Sequence, residues 1–152
     1  MGLINTVTDP NLTKIISGIS SKVKPNMAAN FNAVVISGMQ LLFSPKTAFM
    51  LKRGLSSGPL AVVVPKGIAN TIATISNEAK GKMSIEAALP ASIVLMCHVL
   101  DYAERTGAGQ VNAQVISQIT QATATAVLNK LGITQQVIAN AAQSKGAANG
   151  NA

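Results

Sequence analysis

Apolar residues in this chain recur at three- and four-residue spacing, the period of an amphipathic helix. Leu12, Ile15, Ile16, Ile19 and Val23 form a first stripe, opened by Asp9 as a cap and Pro10 at the position where a missing N–H costs nothing. Pro25 breaks that run and opens a second helix with Met27, Phe31, Val35 and Met39 in line. Ser44-Pro45 repeats the cap-and-proline signature before a short helix that ends in Lys52-Arg53 and is closed by Gly54. Residues 54–65 (GLSSGPLAVVVP) interrupt the pattern. The β-branched Val62-Val63-Val64 run between Pro59 and Pro65 suits either one short extended segment near 60–64 or a helix begun at Pro59. From Pro65 a helix carrying Ile68, Ile72 and Ile75 reaches Lys80, with Gly81 as its stop.

The remainder reads as a helical hairpin. Ser84 caps a helix running to about Arg105, with Pro90 far enough inside to predict a kink. Between Glu86 and Asp101 no residue is charged, and only Ser92 and His98 are polar, so this helix should be central and contacted on several sides. A turn at Thr106-Gly107-Ala108-Gly109 leads to a helix over residues 112–131, with Val115, Ile119, Ala122 and Ala126 on its apolar face and Gly132 as its stop. Thr134 caps a last short helix. The pattern therefore predicts an all-α fold: a compact multi-helix bundle with a C-terminal helical hairpin and at most one short extended segment near 60–64. Residues 1–143 are expected to form one helical domain, and residues 144–152 a small-residue tail that is flexible or ordered by a partner. The candidate packing and self-assembly residues are Leu89, Ile93, Met96 and Leu100 on the first arm, and Val115 and Ile119 on the second.

Charge divides this domain. Nine of the twelve Lys and Arg lie in residues 1–82, against only Asp9 and Glu78, whereas residues 83–152 are neutral. A basic half for a polyanion and a neutral hairpin half for packing follow from that asymmetry. The candidate polyanion-binding residues are Lys22 with Lys24, Lys46 with Lys52 and Arg53, and Lys80 with Lys82, each group at or near a helix end. Such contacts gain from counterion release without reading sequence. The same cations suit anionic lipid headgroups, and cations at helix C-termini also complement the helix dipole. Only 11% of the chain is charged, under half of the roughly 25% usual for a globular domain. Its surface is therefore covered by copies of itself, by partners, or by uncharged Ser, Thr, Asn and Gln.

Catalytic ingredients are scarce. Cys97 and His98 are the only Cys and His, and as helix neighbours they point about 100° apart, which disfavours a nucleophile pair. Cys97 is expected to pack as a small hydrophobe and His98 to bond locally towards Asp101. One His, one Cys and five scattered carboxylates offer no metal-ligand spacing, and Gly107-Ala108-Gly109 lacks the strand and the Gly-Lys-Ser/Thr of a phosphate loop. No catalytic residue, cofactor or metal is expected, and the protein reads as no enzyme. The N-terminus has neither the basic nor the apolar region of a signal peptide. Residues 87–100 are apolar but short for a membrane span, and residues 26–44 carry several Asn and Gln.

In style the chain resembles the small internal or ejection proteins of short-tailed bacteriophages. The likeness rests on Ala/Asn/Gln/Ser/Thr-rich helices, few aromatics, the uncharged ALPASIVLMCHVL helix and the GAANGNA tail. With no motif to align, no residue role is carried over. The resemblance implies a non-enzymatic structural component present in many copies in the virion, and in the host cytoplasm before assembly. It further implies contact with other virion proteins, with packaged DNA non-specifically, and conditionally with the host membrane. The alternatives are a helical coat protein that wraps nucleic acid and a holin-like phage membrane protein.

Overall fold

The computed structural model describes residues 7–80 and 82–132. The helix expected after Thr134, the tail and the Gly81 stop lie outside the described residues. Those described form six α-helices, α1 (Pro10–Lys22), α2 (Ala28–Phe43), α3 (Ala48–Leu55), α4 (Leu60–Glu78), α5 (Ile85–Arg105) and α6 (Ala113–Lys130), with a 3-10 turn (Pro25–Met27) leading into α2. No strand occurs among them. The chain is an all-α helical bundle.

Local signals set several helix starts as expected. The Asp9 carboxylate accepts the N–H groups of Asn11 (2.8 Å) and Leu12 (3.4 Å), with Pro10 in the first turn. Ser84 caps α5 through the Glu86 N–H at 3.2 Å, and Asn112 caps α6 through the Val115 N–H at 2.9 Å. These side chains satisfy donors that a helix start leaves without partners.

Around α3 and α4 the boundaries shift. Ser44-Pro45 starts a turn, but α3 proper begins at Ala48, the Ser44 hydroxyl lying 2.8 Å from that of Thr47. Gly54 is inside α3 rather than closing it. Serine hydroxyls meet the last carbonyls instead, Ser56 on Lys52 (3.2 Å) and Ser57 on Gly54 (2.6 Å). α4 starts at Leu60, so the valine triplet is helical and Pro65 sits buried within the helix. Tertiary packing decides this, because Leu60, Val64 and Ile68 share one buried face, and its burial outweighs the few tenths of a kcal/mol by which Val disfavours a helix. α4 ends at Glu78, short of the expected glycine, with Lys80 itself in the left-handed region (φ 53°). α5 is likewise helical through Pro90.

α5 is the axis of the molecule. Every residue from 91 through 101 is buried, and α1, α2, α4 and α6 all pack against it. Gly38 on α2 lets Leu95 of α5 lie directly against its backbone, since a Cβ there would overlap the Leu95 side chain. α6 folds back on α5 as the hairpin requires, yet its most extensive partner is α4. Its buried face runs Ile116, Ile119, Thr123, Val127, one position round from the expected stripe, leaving Val115, Ala122 and Ala126 at the margin. The larger Ile116 and Val127 fill the space that the alanines could not.

One further tie closes the N-terminus onto α5. The buried Asp101 carboxylate accepts the N–H groups of Thr8 (3.1 Å) and Asp9 (3.3 Å) and the Thr8 hydroxyl (3.3 Å), and its second oxygen lies 2.9 Å from Arg105 Nε. Both charge halves thus share a single core.

Candidate functional site

All seven candidate polyanion residues are exposed, namely Lys22, Lys24, Lys46, Lys52, Arg53, Lys80 and Lys82. What separates them is the company they keep. Lys22 and Lys24, at the end of α1, share a cleft of about 530 Å³ with Glu86 from the first turn of α5. Lys82 shares a smaller cleft, about 270 Å³, with Glu78 from the end of α4. In both places a carboxylate in the same cleft offsets part of the positive potential.

Lys46, Lys52 and Arg53 differ. They belong to α3 and the turn before it, which departs from α2 with a bend of 79°. A groove of about 520 Å³ runs between α3 and α4, floored by α2 and bordered by Lys66, a basic-half cation outside the seven candidates. Among the described residues no carboxylate lines this groove, and no Asp or Glu occurs in the sequence between Asp9 and Glu78. The sole ion pair among the described residues, Arg105 with Asp101, lies elsewhere.

The groove also gathers apolar surface. Of the large hydrophobic side chains exposed among the described residues, the three most exposed are Phe49 (68%), Met50 (66%) and Val62 (61%). Met50 and Val62 line the groove, and Phe49 adjoins Met50 on the outward face of α3. With 3.6 residues per turn, Arg53 shares that face, four positions from Phe49 and three from Met50. Lys66 follows Val62 by four positions on α4. Sequence reading missed these hydrophobics because a short amphipathic helix does not reveal which of its apolar residues the core leaves outside. The one available signal was that α3 has more apolar residues than a single buried face accommodates.

The packing candidates lie inside one copy of the chain. Ile93, Met96, Leu100 and Ile119 are buried core residues rather than a surface open to a second copy, and Leu89 and Val115 are half-buried against that core. α5 is long and apolar enough to cross a membrane by length and composition, with mean hydropathy 1.4, but 72% of that stretch is buried within the bundle.

Cys97 and His98 are buried as well. Burial, followed by the negative charge of Asp9, pushes the Cys97 thiol up to about 12, so it is a neutral packing group at ordinary pH. Burial pulls the His98 imidazole down to about 4; nearby Asp101 opposes the shift and Arg105 adds to it. The expected bond from His98 to Asp101 is replaced by the clasp on Thr8, Asp9 and Arg105, and His98 Nε2 has no hydrogen-bond partner among the described residues. Beside that clasp, a hydrogen bond with Asp9 raises the exposed Glu104 carboxyl above its ordinary range. Among the described residues no three His, Cys, Asp or Glu side chains are grouped to hold a metal ion. No protein-family model, curated protein or solved structure matches the chain.

Proposed function

We propose that this protein is a non-enzymatic structural component of a bacteriophage particle that holds a polyanionic surface by sequence-blind electrostatic contact. The observation that carries the polyanion reading is that Lys46, Lys52 and Arg53 are exposed on α3 and the turn before it, while Lys66 is exposed at the α3–α4 groove, which no carboxylate lines among the described residues. Fixed positive charge without an internal counter-ion binds mobile anions, and a polyanion gains by releasing its own counterions when it takes their place. Phe31 is buried and Phe43 and Tyr102 pack edge-to-face 5.6 Å apart, which leaves Phe49 as the one exposed aromatic side chain among the described residues, too few for a stacking platform. Placement in a virion rests on the helix style and composition, and mass spectrometry of purified particles tests it. Self-association would use surface other than the buried Ile93, Met96, Leu100 and Ile119, and native mass measurement reads the number of copies.

Binding to heparin and to a random-sequence DNA duplex, followed across a salt series, tests the polyanion reading. Affinity should fall steeply with salt and be indifferent to sequence. Replacing Lys46, Lys52, Arg53 and Lys66 with Gln should flatten the salt slope on duplex DNA by about 0.9 for each phosphate that is no longer neutralised. The Lys22→Gln, Lys24→Gln pair, partly offset by Glu86, should have a smaller effect. Equal effects from both sets would show that the groove is not the preferred site.

A further inference from the structure

The polyanion reading leaves the apolar residues at the same groove unexplained. Phosphate contact with a nucleic acid requires only the cations and would leave Phe49, Met50 and Val62 in water. Single exposed hydrophobics are ordinary on any surface, but here Met50 and Val62 line one groove with the exposed Lys66, and Phe49 shares the outward face of α3 with the exposed Arg53, next to the exposed Lys52. Together they form an amphipathic patch whose two chemistries need different partners.

Resting on the polyanion reading, we propose that the α3–α4 face docks on an anionic lipid bilayer, with Phe49, Met50 and Val62 entering the headgroup–acyl boundary while Lys46, Lys52, Arg53 and Lys66 contact lipid phosphates. A bilayer presents both required layers, negative charge at the surface and an apolar layer beneath it. The long Lys and Arg stems lie along the apolar boundary and keep their charged ends at the headgroups. A second copy of the chain is a poor occupant, because a symmetric contact through this face would set the four cations against their own duplicates. The free acids that a head-to-tail contact could use, such as Glu78 and Glu86, are dispersed near other cations.

The chain contains no tryptophan, so Phe49→Trp gives a single fluorescent probe at the most exposed point of the patch. On vesicles of phosphatidylcholine containing one third phosphatidylglycerol, its emission should shift to the blue and be quenched by lipids brominated in their acyl chains. With phosphatidylcholine alone, heparin or duplex DNA it should not shift. In vesicle co-sedimentation, Phe49→Ser with Met50→Ser should weaken binding roughly tenfold or more and leave heparin affinity unchanged. Both side chains are outside the core, so the variant keeps the fold, and its circular dichroism checks this. Lys52→Gln with Arg53→Gln should weaken both vesicle and heparin binding, by roughly fivefold per cation on vesicles. Binding to heparin or DNA without binding to phosphatidylglycerol vesicles overturns the bilayer proposal and leaves the polyanion reading standing. Vesicle binding without a blue shift also overturns it, since the apolar residues would then stay in water. Failure to bind any of these polyanions overturns both.

Discussion

His98 shows how a single buried side chain ties stability to pH. It lies on the central helix α5, 2% exposed, with Nε2 unpartnered among the described residues. In the unfolded chain its pKa is near the ordinary 6.5, whereas burial in the fold lowers it to about 4. The unfolded state therefore takes up a proton first as pH falls. The stability associated with the neutral imidazole is fully present above pH 6.5, declines between 6.5 and 4, and is lost below 4. At roughly 1.4 kcal/mol per pKa unit the loss is about 3 kcal/mol. His98→Met should remove this part of the pH dependence and leave stability at pH 7 equal or slightly greater, because an unpaired polar atom leaves the core. Urea unfolding of both proteins from pH 7 to pH 4 checks it. Carboxylates such as Glu104 titrate in both chains, so only the difference between the two curves belongs to His98. Parallel curves would assign the effect elsewhere.

At the scale of elements, what was legible in the sequence depended on how local the cause was. Asp9, Ser84 and Asn112 act on N–H groups two or three residues away, so their helix starts follow from the sequence alone. Residues 60–65 were ambiguous because their helicity comes from the burial of Leu60 and Val64 against distant helices, which no local propensity encodes. The α6 stripe was displaced by one position for the same reason: Ile116 and Val127 are chosen by the shape of α4 and α5. The candidate site divides along this line too. The seven cations were visible as charges, and Glu78 is four residues from Lys82 in the sequence, but Glu86 is brought beside Lys22 and Lys24 by the fold. Helix contact also makes the cost of a methyl group testable. Gly38→Ala adds one where the side chain of the fully buried Leu95 already lies, so Leu95 has to repack within the core. Overpacking of this kind costs about 1–3 kcal/mol, against roughly 1 kcal/mol gained in helix propensity. The net outcome should be a loss of stability by thermal or urea unfolding. In a Leu95→Ala background the same glycine substitution should become neutral or stabilising, whereas a loss unchanged there would mean that α2 and α5 do not meet through this pair.

For the whole molecule, the boundary in charge and the boundary in folding do not coincide. The charge pattern changes near residue 82, with nine cations before it and balanced charges after. The core ignores that point, because α5 from the neutral side is enclosed by α1, α2 and α4 from the basic side, and α6 rests mainly on α4. The Asp101 clasp on Thr8 and Asp9 adds a tie across more than ninety residues of chain. Isolated residues 83–152 would expose the faces of α5 that bury Val94, Leu95 and Leu100, with α6 alone unable to cover them. Unmatched apolar surface on that scale favours aggregation over a folded hairpin. The fragment should therefore lack a cooperative thermal transition, as should residues 1–82, which lose their central helix. Mixed in equal amounts, the two should recover helicity and one shared transition if the core rather than the charge pattern defines the folding unit. Circular dichroism of each fragment and of the mixture decides it: a hairpin fragment that melts cooperatively as a monomer would show two folding units where the packing shows one.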